Sequence, residues 1–230
     1  MPRPPRADEA GELYHVLNHG ESHDDIFHEE SDFDAFELVL HEALQLFHVE
    51  LFSYQLMPNH FHLVLRTQVD GEMGRFVGWV CGTHTLRYRA DYGTTGPGRI
   101  YQRRYKSFPI QNNDHFLNVC HYVEQNALRA GLVDRTEDWR WGSLARWLQK
   151  PEPNPKLLSR WPVNRTPKWA ARVNEPLTEE ALADIRVCAT RGRPFGEKRW
   201  RDTTAKRLNL VSTIRPRGRQ RIHPLKSQAK

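Results

Sequence analysis

The chain has 230 residues, of which 38% are hydrophobic and 27% charged, with a formal net charge of +6; that is enough for one core of ordinary size with an appendage, not for two full domains. No run approaches the ~18 to 20 apolar residues of a membrane span, and MPRPPRADEAGEL at the start lacks the apolar core of a secretory signal, so a cytoplasmic protein without a membrane partner is expected. Three separated cysteines, Cys81, Cys120 and Cys188, form no CxxC pair and exclude a disulfide framework.

Charge is segregated along the chain: the net is −11 over residues 1–50, +6 over 51–190 and +11 over 191–230. A basic end of this kind attracts a polyanion, and nucleic acid is the leading candidate.

ELYHVLNHG (Glu12 to Gly20) reads as a first strand entering a turn. SDFDAFELVLHEALQLF follows, with a Ser or Asp cap and apolar Phe33, Phe36, Leu40, Leu44 and Phe47 at steps of three and four, which predicts an amphipathic helix. Val49 to Leu56 and His60 to Arg66 flank MPN, giving a strand, a tight turn and a strand. A second helix spans roughly Glu72 to Tyr92 and stops at Gly93. RIYQRRYKSFPI (Arg99 to Ile110) is the fourth strand candidate. The order βαββαβ predicts an α+β fold, a ferredoxin-like sheet with two helices on one face.

A further helix is expected over about Asn113 to Ala130, ending at Gly131. Six prolines between Pro151 and Pro176 suggest an irregular connector. Three segments result: 1–150 as the main domain, 151–190 as a Pro-rich connector and helix, and 191–230 as a basic tail.

Side chains two apart on a strand share a side, so His60 and His62 address one volume while Phe61, Leu63 and Leu65 face a core. The pair could hold a divalent metal. Taken alone, it fits a structural or surface role equally well. On the later helix, Tyr122 and Asn126 are four residues apart and share a face, where a phenol and an amide oxygen could meet. By itself the tyrosine reads more readily as a packing residue. His15, His19, His23 and His28 crowd the acidic third without clean ligand spacing, so a second metal site is the weaker reading. Trp139, Trp141 and Trp147 read as packing for the C-terminal segment.

Two surfaces suit a nucleic acid. Around the fourth strand, Arg99, Arg103, Arg104 and Lys106 interleave with Tyr101, Tyr105 and Phe108, aromatics that either stack unpaired bases or form the buried face of the sheet. In the tail, Arg191, Arg193, Arg215, Arg217, Arg219 and Arg221 stand beside Gly and Pro, a composition that resembles minor-groove arms, with a solubilising tail as the less favoured alternative. Between them GEKRWRDTTAKRLNLV suits a short helix.

His60-Phe61-His62 matches the histidine-hydrophobe-histidine motif of the HUH nucleases, and Tyr122 followed by Asn126 resembles the single-tyrosine transposase arrangement. The sequence is most similar to the REP-associated tyrosine transposases, relatives of the small insertion-sequence transposases. Their pattern is echoed in MPNHFHLVL, THTLRYRADYG, IYQRRYKSFPI, YVEQNALRAGLV followed by WRWGSL, and RGRPFG, in family order from about Tyr14 to Arg221.

The resemblance implies a metal-dependent endonuclease and strand transferase acting on single-stranded, hairpin DNA of repetitive extragenic palindromes. Tyr122 would attack a phosphodiester to give a 5′-phosphotyrosine, with Mg²⁺ or Mn²⁺ held by His60, His62 and Asn126. Two imidazoles and an amide suit Zn²⁺ as well. The alternatives are a non-catalytic, domesticated hairpin-binding protein and a metal-dependent hydrolase that uses water. Either a monomer or a homodimer is compatible, and a nucleoid-associated location follows from the DNA substrate.

Overall fold

The computed structural model describes residues 6–94, 98–102 and 104–215. Strands β1 (Leu13–His19), β2 (Val49–Met57), β3 (His60–Thr67) and β4 (Lys106–Ile110) form one sheet in the order β2-β3-β1-β4. Every neighbouring pair is antiparallel. Helix α1 (Glu30–Leu46) connects β1 to β2, and α2 (Glu72–Asp91) connects β3 to β4. Each connection skips one strand, the split crossover expected of the βαββαβ order. The remaining helices are α3 (Asp114–Glu124), α4 (Asn126–Arg129), α5 (Ser143–Leu148), α6 (Trp169–Asn174), α7 (Glu179–Arg191), α8 (Lys198–Arg207) and α9 (Val211–Ile214). No helix among the described residues is long and apolar enough to cross a membrane.

Strand parity divides the interior into two cores. Tyr14 and Val16 of β1 and Phe61, Leu63 and Leu65 of β3 bury against Phe36, Val39 and Leu40 of α1 and Phe76 and Val80 of α2. Leu13, Val64 and Phe108 project from the opposite side, onto Phe116, Val119 and Val123 of α3 and onto Ile185 of α7. Each fully buried large apolar side chain contributes roughly 1.5–3 kcal/mol. The histidine side of β3 is therefore a roofed chamber, not an open surface.

Several boundaries differ from the sequence reading. The cap of α1 is Glu29, in a reciprocal capping box with Asp32, whose carboxylate accepts from the backbone N–H of Glu29. A carboxylate one methylene longer than aspartate serves, two residues ahead of the Ser or Asp cap expected. β4 starts at Lys106, because Tyr101 makes only an isolated bridge to Gly20 and turns inward, where its hydroxyl bonds His84 Nδ1 at 2.7 Å. The helix expected over Asn113 to Ala130 is interrupted at Gln125, whose N–H is shared between the carbonyls of His121 and Val123. Within the Pro-rich stretch Trp169–Asn174 are helical, since Trp169 is fully buried and carries its turn into the core. The basic stretch holds α8 where a short helix was expected. Ala205, Leu208 and Leu210 close the first core.

Both margins of the sheet are covered by later chain. Along β2, the Leu56 N–H donates to Trp141 O (3.0 Å) and the Ser159 N–H to Leu51 O (2.8 Å), while Trp139 Nε1 reaches Leu56 O at 2.8 Å and Trp161 Nε1 reaches Phe52 O at 2.7 Å. Gly142 pairs with Gln55 so closely that a Cβ would lie 2.3 Å from Gln55 Oε1. Along β4, Phe195 forms a parallel bridge with Ile110.

Candidate functional site

The ladder places the histidines in rows. His60 lies opposite His19, and His62 opposite Leu17, which in turn lies opposite Lys106 on β4. On the same side of β1, His15 is fully buried, and its Nε2 lies 2.9 Å from His62 Nδ1. The His60 and His62 ring centroids are 4.9 Å apart, and His19 packs against His60 at 4.7 Å. Burial holds His15 and His60 down to a pKa of about 3 and His62 well below the usual imidazole range, with neighbouring histidines and Arg129 adding to the effect at His60 and His62. All three rings are neutral at physiological pH, the form that ligates metals.

Helices α3 and α4 roof this chamber. The Tyr122 ring stands edge-on to His62, with centroids 5.8 Å apart, and the Asn126 amide reaches His60, Nδ2 to Nε2 in 3.3 Å. The backbone at Gln125 stays right-handed helical, so the interruption keeps residues 122 and 126 on one side. The four side chains singled out in the sequence thus meet in one chamber.

The helix is anchored by Glu124, which points away from the chamber as its place on the helix requires. Its carboxylate is fully buried, accepting from Ser143 Oγ at 2.6 Å, Ser53 Oγ at 3.3 Å and Trp169 Nε1 at 2.6 Å, with the Arg165 guanidinium at 3.7 Å. A buried carboxylate needs such a set of donors. Gln125 donates to the carbonyls of Val173 and Glu175.

Arg129 was missed in the sequence, and His15 was noted there only as one of four crowded histidines. Arg129 lays its guanidinium over the Tyr122 ring, Cζ to centroid 4.5 Å, and donates from Nη2 to Asn126 Oδ1 at 3.0 Å. Its spacing of seven from Tyr122 and three from Asn126 was the available signal. His15 carried no local signal, because its meeting with His62 depends on strand register.

The donors fit a divalent cation. His60 Nδ1 is engaged by Asn59 Oδ1 at 2.6 Å and His62 Nδ1 by His15, so Nε2 is the atom each ring could offer a cation, that of His60 being met here by the Asn126 amide, and such outer partners are what fix metal-binding imidazoles. Among the described residues no group of three His, Cys, Asp or Glu is arranged to hold a metal. Asn126 is the third protein donor at hand. His23 packs on His19 at 4.7 Å, His28 bonds the Tyr88 hydroxyl at 2.8 Å, and His15 turns to His62 instead.

Of the basic residues, Arg104 and Lys106 line a groove of about 580 Å³ with Arg6, Tyr105, Arg191 and Glu21. It joins the two surfaces expected separately. Lys106 stands two strands from His62, about 10 Å at ordinary strand spacing. Arg99 is exposed and lines a neighbouring hollow with Asp24 and Asp25. Arg193 is half-buried and already engaged, with Asp184 at 3.0 Å. The Arg191 guanidinium donates to Arg215 O. Arg103, Arg217, Arg219 and Arg221 lie outside the described residues. Tyr101 and Phe108 are buried, the packing alternative of the two, and Tyr105 is capped by Arg6, Cζ to centroid 3.5 Å. Trp141 stacks on Phe33 at 4.4 Å, and its Nε1 bonds Asp34 at 2.8 Å.

The sequence matches the family model described as "Transposase IS200 like" over residues 11–126. No curated protein matches. Among solved structures, a REP-associated tyrosine transposase bound to a REP hairpin aligns with a TM-score of 0.53 at 14% identity, over 72% of this chain and 99% of that one. A putative transposase from Deinococcus radiodurans R1 aligns with a TM-score of 0.38 at 16% identity, over 52% and 84%. The first of these supports the shared α+β fold. With just over half of the chain inside the family match, from the start of the sheet through His60, His62, Tyr122 and Asn126, this protein belongs to the IS200-like transposase family of enzymes.

Proposed function

We propose that the protein is a metal-dependent endonuclease and strand transferase for single-stranded DNA flanking a hairpin, working through a covalent 5′-phosphotyrosine. The observation that carries this reading is the convergence of a strand-borne imidazole pair with a helix-borne phenol and amide in one chamber. The hairpin substrate is inferred from the neighbour solved with a REP hairpin, which matches nearly its whole length.

In this reading the Tyr122 oxygen forms a bond to phosphorus as the bond to the 3′ oxygen breaks. The proton lost by the phenol is matched by the one gained at the leaving 3′-hydroxyl. The phosphotyrosine conserves a phosphodiester, so a second 3′-hydroxyl can reverse the step on another strand without ATP. A Mg²⁺ or Mn²⁺ ion held by His60, His62 and Asn126 would polarise the phosphate and offset its developing charge. His15 and Asn59 orient the two imidazoles, and Arg129 packs its guanidinium over the Tyr122 ring. The groove of Arg104, Lys106 and Arg191 guides the strand by its backbone, and a DNA substrate implies a cytoplasmic protein associated with the nucleoid. Residues 1–150 form the nuclease unit, 151–190 the connector that buttresses it, and 191–230 the basic segment that adds affinity.

Incubation with Mg²⁺ and a labelled stem-loop bearing a single-stranded flank tests the reading. A protein-DNA adduct that vanishes in Tyr122→Phe supports it. Cleavage that survives Tyr122→Phe points to a water nucleophile, and binding without any cleavage points to a hairpin-binding protein.

A further inference from the structure

Four side chains at the site form one directed chain of hydrogen bonds. Asn59 Nδ2 donates to the His23 carbonyl at 3.2 Å, so its Oδ1 accepts from His60 Nδ1 at 2.6 Å. That fixes the proton on Nδ1 and leaves His60 Nε2 a lone pair, to which Asn126 Nδ2 donates across 3.3 Å. Asn126 Oδ1 then accepts from Arg129 Nη2 at 3.0 Å. Both ends set the polarity, because a backbone carbonyl only accepts and a guanidinium only donates.

The two atoms a cation would take here, His60 Nε2 and Asn126 Oδ1, are therefore both engaged by donors of the chain itself. Ligation requires the amide to withdraw its N–H from His60 and turn its oxygen toward the ring. Turned that way, the amide faces Arg129 donor against donor, and the guanidinium loses its acceptor. Arg129 Nη1 is already buried without a hydrogen-bond partner, and the guanidinium carbon sits 4.5 Å over the centroid of the Tyr122 ring. A guanidinium freed at that spot matches the two non-bridging oxygens of a phosphodiester.

We propose that Arg129 is a positioning residue that closes the cation site in the DNA-free protein and passes its fork from Asn126 to the phosphate beside Tyr122 when cation and strand arrive, so that the two bind cooperatively. The proposal rests on reading His60, His62 and Asn126 as cation ligands.

Mn²⁺ titration followed by electron paramagnetic resonance tests it, in a Tyr122→Phe background that leaves DNA uncut, with and without a stem-loop oligonucleotide carrying a single-stranded flank. In DNA-free protein, Arg129→Met should tighten Mn²⁺ binding about tenfold, the worth of one hydrogen bond to a charged group. Arg129→Gln, equally uncharged but still able to donate to Asn126, should gain less. The oligonucleotide should tighten Mn²⁺ binding about tenfold with Arg129 present, within the usual range of coupling between sites, and not in Arg129→Met. Arg129→Lys, which keeps charge without the fork, should lose most of this coupling and decides the matter if the methionine variant does not fold. Equal gains in the Met and Gln variants, or coupling that persists without the fork, would overturn the proposal. His62→Ala separates the two levels: Mn²⁺ binding indifferent to it means that the cation reading has failed, whereas binding that depends on it while ignoring Arg129 means that only this inference has failed.

Discussion

His15 Nε2 and His62 Nδ1 lie 2.9 Å apart with both rings sealed from solvent. For His62 to offer Nε2 to a cation, its proton must sit on Nδ1 and be accepted by His15. Outer partners of this kind typically matter 10- to 100-fold in metal affinity or activity. His15→Leu should therefore lower Mn²⁺ affinity and cleavage by roughly that range, and His15→Gln, whose amide oxygen still accepts, by less. Equal behaviour of the two variants in a Mn²⁺ titration would remove His15 from the argument.

Glu124 holds the tyrosine helix to β2, α5 and α6 through one buried carboxylate. Glu124→Ala strands Arg165 and the Trp169 N–H in the interior, and breaking a buried pair in this way costs about 3–5 kcal/mol. Urea unfolding should show a loss of that size. A change below about 1 kcal/mol, the scale of an exposed ion pair, would mean that solvent reaches the site.

Acid should weaken the fold earlier than its carboxylates would suggest. Burial lowers His15 to a pKa of about 3 and His84 to about 4, from an ordinary 6.5. Above pH 6.5 both folded and unfolded chains are neutral at these positions. Below it the unfolded chain takes up protons that the folded chain refuses, so stability falls, by about 1.4 kcal/mol per pH unit for each such histidine. Melting temperatures should be level from pH 8 to about 7 and decline from about 6 downward. A level profile to pH 4.5 would contradict the burial of these two histidines.

Lys106 is exposed on the groove, two strands from His62. Lys106→Ala should weaken DNA binding similarly for all sequences and reduce the slope of log affinity against log salt by about 0.7, the single-strand value for one phosphate contact. The melting temperature should not move. An unchanged slope would place the strand elsewhere.

The site was legible where it obeys a short period. Alternation on β3 put His60 and His62 on one side, and a step of four put Tyr122 and Asn126 together, because these relations are fixed by local geometry alone. His15 needed the register of β1 on β3, which is set by the whole sheet. Arg129 was hidden by its residue type, since an arginine late in a helix ordinarily answers the helix dipole. The same logic explains the fourth strand: Tyr101 has the composition of a strand residue, and a hydrogen bond to distant His84 draws it out of the ladder. Aromatics beside arginines suggested a stacking surface, but the phenyl ring of Phe108 belongs to the core beneath α3.

Because Trp141, Ser159 and Phe195 already occupy main-chain positions along the outer strands, a second copy finds little free ladder there to extend. Self-assembly by sheet continuation, and the fibrous association that begins the same way, are disfavoured by the protein's own C-terminal half. Loss of that half would unmask adhesive rims, so truncation at about residue 135 should yield material that clumps before it can be assayed, even though the histidines, tyrosine and asparagine all lie upstream of the cut.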